Sequence, residues 1–189
     1  IINLNDSKIN QILINGNPIA YNTIQAKLDI DSSFIDYQNI MYSKSMIIDY
    51  SDNLIDELKL NGMAHSKYHI IKDTLLQGYN EASGDTIKLT FNNNEIQRMQ
   101  IIGGGRGIFY PEKNNSNLDG EIQYEAKSID YKINDEKNYF YDSAIIKYLD
   151  TELFSDFITI NWGNNKLLSY SVNDIRPKVK IGYGSNPME

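Results

Sequence analysis

The chain has no cysteine, little proline and only two histidines, and these shortages exclude several kinds of chemistry. Without cysteine among its 189 residues, it forms neither disulfides nor zinc–thiolate sites and has no cysteine nucleophile. The two histidines, His65 and His69, would lie about 13 Å apart on a strand, too far to share one metal ion. No apolar run approaches the roughly 20 residues that a membrane-spanning helix requires. We therefore expect no metal and no cofactor.

The charge balance is acidic, which narrows the range of partners. The formal net charge is −7. A protein that follows a nucleic-acid backbone needs a basic stripe, so we expect no nucleic-acid partner. Hydrophobic residues make up 41% of the chain, which is enough to build a real core.

The residues that are abundant favour strands and tight turns. The chain has 14 tyrosines and is rich in isoleucine and asparagine, against only four prolines. Tyrosine and isoleucine favour strands, and asparagine favours turns. No window sustains an apolar stripe at helical period, although residues 53–60 could form one helical turn. The pair Asn15 and Gly16 predicts a hairpin turn. The composition predicts an all-β protein with many short turns.

A strand-and-turn phrase recurs along the chain. In each copy an aromatic residue ends a strand and a polar turn follows, rich in asparagine or aspartate in most copies. These aromatic residues, at intervals of 41, 40 and 31, are Tyr50, Phe91, Tyr131 and Trp162. The copies lie near residues 45–66, 84–110, 126–148 and 155–170. Such repetition predicts stacked copies of one supersecondary unit that together bury a continuous core.

The pattern of each copy predicts a strand, a turn, a second strand, a small residue and a third strand, in that order. Strands with one apolar and one polar face form a sheet that rolls so that its apolar faces meet. The small residues after the second strand permit a sharp bend or a close approach of the backbone. Among them are Gly62, Gly103, Gly105, Ser143 and Ala144. The pattern predicts an antiparallel open rolled sheet of the β-jellyroll type.

Strand parity selects the side chains that point into the roll. The cleanest alternation is at Ile87, Leu89 and Phe91. If the roll stays partly open, these side chains line an apolar trough that suits acyl chains. If it closes, they fill a core. The predicted lining is Ile48, Tyr50, Ile87, Leu89, Phe91, Ile129, Tyr131, Ile146, Tyr148, Ile158, Ile160 and Trp162.

The third copy carries a small residue, an isoleucine and a tyrosine at Ala126, Ile129 and Tyr131, and its pattern continues through 139–148 and 153–162. In these residues the chain resembles the OstA-like family of periplasmic lipopolysaccharide-transport proteins. Ser143 stands where the family prefers glycine, and Ser155 where it prefers alanine. Both replacements keep the residue small. More loosely, the resemblance covers residues 20–170.

The resemblance implies an antiparallel β-jellyroll that shields lipid acyl chains as in a folded trough. It implies a periplasmic location and no catalytic residues. It also implies end-to-end strand pairing with other OstA-like domains or with copies of itself. Residues 1–189 would then form one OstA-like β-domain, excised from a longer chain. The expected ligand is lipopolysaccharide or a similar acylated lipid.

Two alternatives stay open at this point. A structural β-solenoid that polymerises as a scaffold would have a filled, closed core. A carbohydrate-binding or carbohydrate-cleaving β-roll would show carboxylates converging on an aromatic platform. The segment from Gly103 to Gly107 resembles a phosphate-binding loop only superficially, because no Lys-Ser/Thr pair follows it. Aspartates beside the repeat aromatics, such as Asp49 and Asp130, indicate a structural role.

Overall fold

The computed structural model describes residues 1–5, 8–93, 95–114, 118–164, 166–172 and 176–182. Within these ranges every regular element is a β-strand. The strands are β1 Ile2–Asn5, β2 Lys8–Asn15, β3 Ile19–Ala26, β4 Ile35–Tyr42, β5 Ser45–Ser51, β6 Leu54–Lys72, β7 Leu75–Asn92, β8 Glu95–Pro111, β9 Ile122–Lys132, β10 Lys137–Tyr148, β11 Thr151–Asn161, β12 Lys166–Tyr170 and β13 Lys178–Ile181. The described residues include no helix long and apolar enough to cross a membrane.

The strands form one antiparallel sheet of 13 strands. Its main path runs β1-β2-β5-β6-β7-β8-β9-β10-β11-β12, with β4 beside β6, β3 beside β4, and β13 beside β11. The all-β, antiparallel and open character predicted from composition and periodicity is therefore confirmed. Residues 54–60 lie in β6 and not in a helical turn.

The Asn15 and Gly16 hairpin prediction is wrong. The strand before this pair, β2, is hydrogen-bonded to β1 and β5, whereas the strand after it, β3, is bonded to β4. Gly16 has a φ of 95°, so the chain does turn sharply here. The turn leads to a different part of the sheet, because β5 already occupies the edge of β2.

Alternate long strands carry a two-residue bulge with left-handed backbone. The register of β6 against β7, of β8 against β9 and of β10 against β11 shifts at these bulges. The bulge residues are Gly62 and Met63 in β6, Gly103 and Gly104 in β8, and Asp142 and Ser143 in β10. Bulges bend a strand and increase its twist. The bend falls where the repeated small residues predict one.

The bend divides the sheet into two layers. Layer 1 consists of β1, β2, β5 and β12 with residues 54–61, 86–92, 95–102, 128–132, 137–141 and 157–162. Layer 2 consists of β3, β4 and β13 with residues 64–72, 75–84, 105–111, 122–126, 144–148 and 151–155. Six strands, β6 to β11, run from one layer into the other.

Small side chains in layer 2 let bulky ones in layer 1 pack closely at the bend. A Cβ atom at Gly84 would meet Cγ2 of Ile101 at 2.5 Å, and one at Gly105 would meet Cδ1 of Ile129 at 2.9 Å. Ala64 and Ala126 continue the same row of small buried residues. Close packing at the bend therefore requires glycine or alanine at the positions of this row.

Candidate functional site

The interior between the layers is most deeply buried beside the bend, and burial decreases toward the opposite end, which we call the mouth. Along β7, Ile87 and Leu89 are fully buried, whereas Phe91, nearer the mouth, is half-buried. The same gradient occurs in layer 2, from the buried Ala144 and Ile146 to the half-buried Tyr148. The mouth residues, half-buried and packed against the core, are Phe91, Ile96, Tyr131 and Trp162 in layer 1 and Tyr68, Leu118, Tyr148 and Leu153 in layer 2.

Eleven of the twelve predicted lining residues belong to one core cluster. The buried ones are Ile87, Leu89, Ile129, Ile146, Ile158 and Ile160. The half-buried ones packed against them are Ile48, Phe91, Tyr131, Tyr148 and Trp162. Their contact with a lipid stays a prediction.

Tyr50 is half-buried and lies outside the core cluster. The reason is an irregularity at the end of β5. The pairing of β5 with β6 shifts between Asp49 and Tyr50, so that Tyr50 faces Ile55 while Asp49 faces Glu57. The alternation of side chains along a strand predicts the face of a residue only where the pairing register is regular.

The predicted list omits most of the layer 2 side of the site. Phe109, Ile122 and Tyr124 are buried members of the core cluster, and Tyr68 and Leu153 line the mouth. The signal that could have found them is the alternation of small and large residues after the bend. In β9, for example, Ile122, Tyr124 and Ala126 point inward while the residues between them are exposed.

Aromatic contacts join the two layers across the interior. The ring of Phe109 in layer 2 lies 5.8 Å from that of Trp162 in layer 1, at an interplanar angle of 54°. Tyr124 in layer 2 contacts Phe140 at 5.5 Å and Tyr131 at 6.2 Å, both in layer 1. Tilted rings at these distances attract one another beyond their burial of area.

One ion pair connects the outer tips of the layers. Lys72 ends β6 at the tip of layer 2, and Glu136 lies in the turn before β10 at the tip of layer 1. The Lys72 Nζ atom is 2.9 Å from a carboxylate oxygen of Glu136, and both side chains are exposed. Donation of a hydrogen bond to Glu136 raises the pKa of Lys72. Because the pair is exposed, its contact is weak and easily broken.

Two polar side chains form a hydrogen bond within the apolar interior. The Tyr124 hydroxyl donates a hydrogen bond of 2.8 Å to Oδ1 of the buried Asn80. Burial raises the pKa of Tyr124 to about 12 and raises that of the neighbouring Tyr131 well above its ordinary value. Both phenols are therefore neutral at physiological pH, and the interior contains no phenolate charge.

The polar residues singled out in the sequence have structural partners on the outer faces. Asp130 is 5% exposed and accepts two hydrogen bonds of 2.7 Å from Arg98, while Asp49 accepts one of 2.8 Å from Gln11. His65 stacks on Tyr42 and His69 bonds to Asn39. In the described part of the chain no group of three or more histidine, cysteine, aspartate or glutamate residues could hold a metal ion.

No protein-family model and no curated protein matches this chain. Among solved structures, the crystal structure of LptH from Pseudomonas aeruginosa is similar, with a TM-score of 0.55 and 13% identity. The match covers 88% of this chain and 96% of LptH. The chain has the LptH fold. LptH is described as the LptA homologous periplasmic component of the conserved lipopolysaccharide transport device. The match to LptH supports the fold described above, an open antiparallel sheet. At 13% identity it does not identify the ligand of this chain.

Proposed function

We propose that this protein is a passive, non-enzymatic carrier of lipopolysaccharide or a similar acylated lipid in the periplasm. The supporting observation is the mouth, where apolar and aromatic side chains of both layers are only partly buried above a buried core. Acyl chains would enter between the layers there, while the head group of the lipid would remain in water. The shared fold with a lipopolysaccharide-transport component supports the same proposal.

The energetics of such a site are favourable even for partial insertion. Each methylene group moved from water to an apolar site contributes about 0.8 kcal/mol. Insertion of only four carbons would therefore contribute about 3 kcal/mol before the costs of ordering. Neutral Tyr124 and Tyr131 add no phenolate charge to oppose an acyl chain. The direction of transport would come from an energy source outside this chain.

The layers can separate at the mouth without breaking the sheet. The aromatic pair Phe109 and Trp162 and the ion pair Lys72 and Glu136 are both contacts between side chains. Backbone hydrogen bonds follow the strands within each layer and continue through the bend. We infer that the bend acts as the fixed end and that lipid entry displaces the contacts at the mouth.

Open strand edges at both ends support end-to-end assembly. Among the described residues, β1 and β3 at one end and β12 and β13 at the other each have one neighbouring strand. Large apolar residues are exposed on these edges, for example Ile19 at 55% in β3 and Val179 at 61% in β13. Pairing of one end with the opposite end of another copy, or of a related domain, would continue both layers and extend the space between them.

Site-specific photocrosslinking tests the proposal. A photoreactive phenylalanine analogue at Phe91 or Trp162 should give lipopolysaccharide adducts on irradiation. The same analogue at Tyr141, which lies 38% exposed on the outer face of layer 1, should give none. Absence of adducts at both mouth positions, in variants that fold normally, would rule out lipid carriage.

A structural scaffold is the second candidate, and the tight packing at the bend favours it. Leu60, Ile87, Leu89 and Ile101 are completely buried, so this part of the interior is filled. A scaffold would polymerise through its edges whether or not lipid is present. Filaments that form in lipid-free buffer, without any mouth adducts, would favour this function.

A further inference from the structure

The outer face of layer 2 contains a groove that the lipid-carrier function does not use. The groove has a volume of about 610 Å³, within the range of roughly 300–1,000 Å³ that is usual for small-molecule sites. Its lining includes Tyr42, His65, Glu81, Arg106, Gln123 and Glu125. We call this site the outer groove.

Strand register brings these residues together. One row across the layer runs from Tyr42 through His65, Ser83 and Arg106 to Glu125. The next row, one step toward the mouth tips, runs from Lys67 through Glu81 and Ile108 to Gln123. The inward neighbours of these residues, such as Ala64 and Ala82, are buried in the core. The outer groove therefore lies on the opposite side of layer 2 from the proposed acyl site.

A flat aromatic surface forms one end of the outer groove. The rings of Tyr42 and His65 are stacked at a centroid distance of 4.8 Å and an interplanar angle of 11°. Tyr42 is 46% exposed, so its ring is available to a ligand. A stacked tyrosine presents an apolar face beside a polar hydroxyl, which suits a ligand with both kinds of surface.

The charges of the outer groove are largely balanced. Lys67 pairs with Glu81 at 3.7 Å, and Lys147 pairs with Glu152 at 2.9 Å. Arg106 donates a hydrogen bond of 3.3 Å to Ser83 and lies opposite Glu125 in the register. Phosphate would meet the carboxylates of Glu81 and Glu125 and would find no cluster of unopposed cations.

The polar lining also disfavours an acyl chain. Carboxylates accept hydrogen bonds, the lysine and arginine groups donate them, and the Gln123 amide does both. Burial of such groups against a hydrocarbon would leave them without partners. A ligand with many hydroxyl groups satisfies donors and acceptors together, and the C–H face of a sugar ring matches the Tyr42 ring.

We propose that the outer groove binds a neutral saccharide built of hexose or N-acetylhexosamine units, with one ring stacked on Tyr42. Glu81, Gln123 and Glu125 accept hydrogen bonds from its hydroxyl groups, and Arg106 donates to its oxygens. This site does not depend on the proposed lipid carriage, because it lies on the other face of layer 2.

Titration of the isotope-labelled full chain with maltotriose and with chitotriose tests the proposal by NMR. Backbone amide shifts should concentrate at residues 65–67, 81–83, 106–108 and 123–125, with a Kd of about 1 mM, as expected for a shallow site. Tyr42→Ala should weaken binding by about fivefold or more, through loss of the stacked ring. Gln123→Ala should weaken binding as well and leave the fold intact, because the Gln123 side chain is exposed.

Tyr170→Ala is the matched control, because Tyr170 is 48% exposed but lies in layer 1. It should leave saccharide affinity unchanged. No shifts with either saccharide, or equal losses in Tyr42→Ala and Tyr170→Ala, would overturn the proposal. Stronger shifts of the same amides with inorganic phosphate would also overturn it, in favour of an anion site. The probes have no acyl chain, so their failure would leave the crosslinking result at Phe91 and Trp162 unaffected.

Discussion

The rings of Phe109 and Trp162 meet 5.8 Å apart and join the two layers near the mouth. Their strands come from different copies of the sequence repeat, and the contact forms only when the sheet bends back on itself. Phe109 is 8% exposed, and Trp162 is half-buried. This contact is therefore present only when the two layers are packed against each other.

Phe109→Ala should lower the free energy of unfolding by about 3 kcal/mol, because a large buried ring leaves a cavity between the layers. Urea denaturation monitored by Trp162 fluorescence measures this change. Tyr21→Ala, at a 60% exposed position on an edge strand, is the control and should change stability by no more than about 0.5 kcal/mol. Equal stability of Phe109→Ala and the parent chain would show that the layers do not pack as described.

Gly84→Ala should destabilise the fold by about 1–3 kcal/mol, since the new Cβ atom would lie 2.5 Å from Cγ2 of Ile101. The clash disappears when Ile101 is shortened. The double variant Gly84→Ala/Ile101→Ala should therefore cost less than the sum of the two single variants. A double-mutant cycle by urea denaturation measures the coupling. Strict additivity would contradict close packing at the bend.

Stability should fall as the pH drops below about 6.5, in part because of His69. Burial lowers the pKa of His69, and Lys67 lowers it further. The folded state therefore holds the ring neutral while the unfolded chain takes up a proton. The contribution is fully present above the unfolded pKa and is lost as the pH falls toward the folded pKa.

His69→Gln should remove this component, so its unfolding free energy should change less between pH 7 and pH 5 than that of the parent chain. The measurement is urea denaturation at several pH values. The same slope in His69→Gln and the parent would contradict the stated role of His69.

Closing the mouth should block lipid capture if acyl chains enter there. The chain has no cysteine, so Lys72→Cys/Glu136→Cys introduces the only two thiols. A short bismaleimide can link these positions, whose parent side chains contact each other at 2.9 Å. The linked protein should lose lipopolysaccharide adducts at Phe91, while each single-cysteine variant treated in the same way should keep them. Full adduct yield in the linked protein would mean that lipid enters elsewhere.

Much of the fold was predictable from local pattern. The alternation at Ile87 and Leu89 predicted strands with one inward face, and both residues are fully buried. The recurring small residues predicted a bend, and Gly103 and Gly104 form one of the bulges that produce it. These features are local, because side-chain parity and left-handed backbone depend on residues close together in the chain.

Other features did not follow from local pattern. No strand is predicted after residue 170, yet Lys178–Ile181 pairs with β11 as strand β13. Tyr50 has the parity of Ile48 but lies outside the core cluster, because an irregular pairing interrupts the register there. Such outcomes depend on the neighbouring strand, which a single segment does not specify.

The sequence by itself determined that the chain forms short antiparallel strands with an apolar face, because alternation and turn chemistry act over a few residues. Tertiary structure alone decided which faces meet, which apolar side chains stay only partly buried at the mouth, and that Tyr42, Arg106 and Glu125 share a groove. Those relations join residues from distant strands. They are set by the bend and the register of the whole sheet, and neither can be read from any one segment.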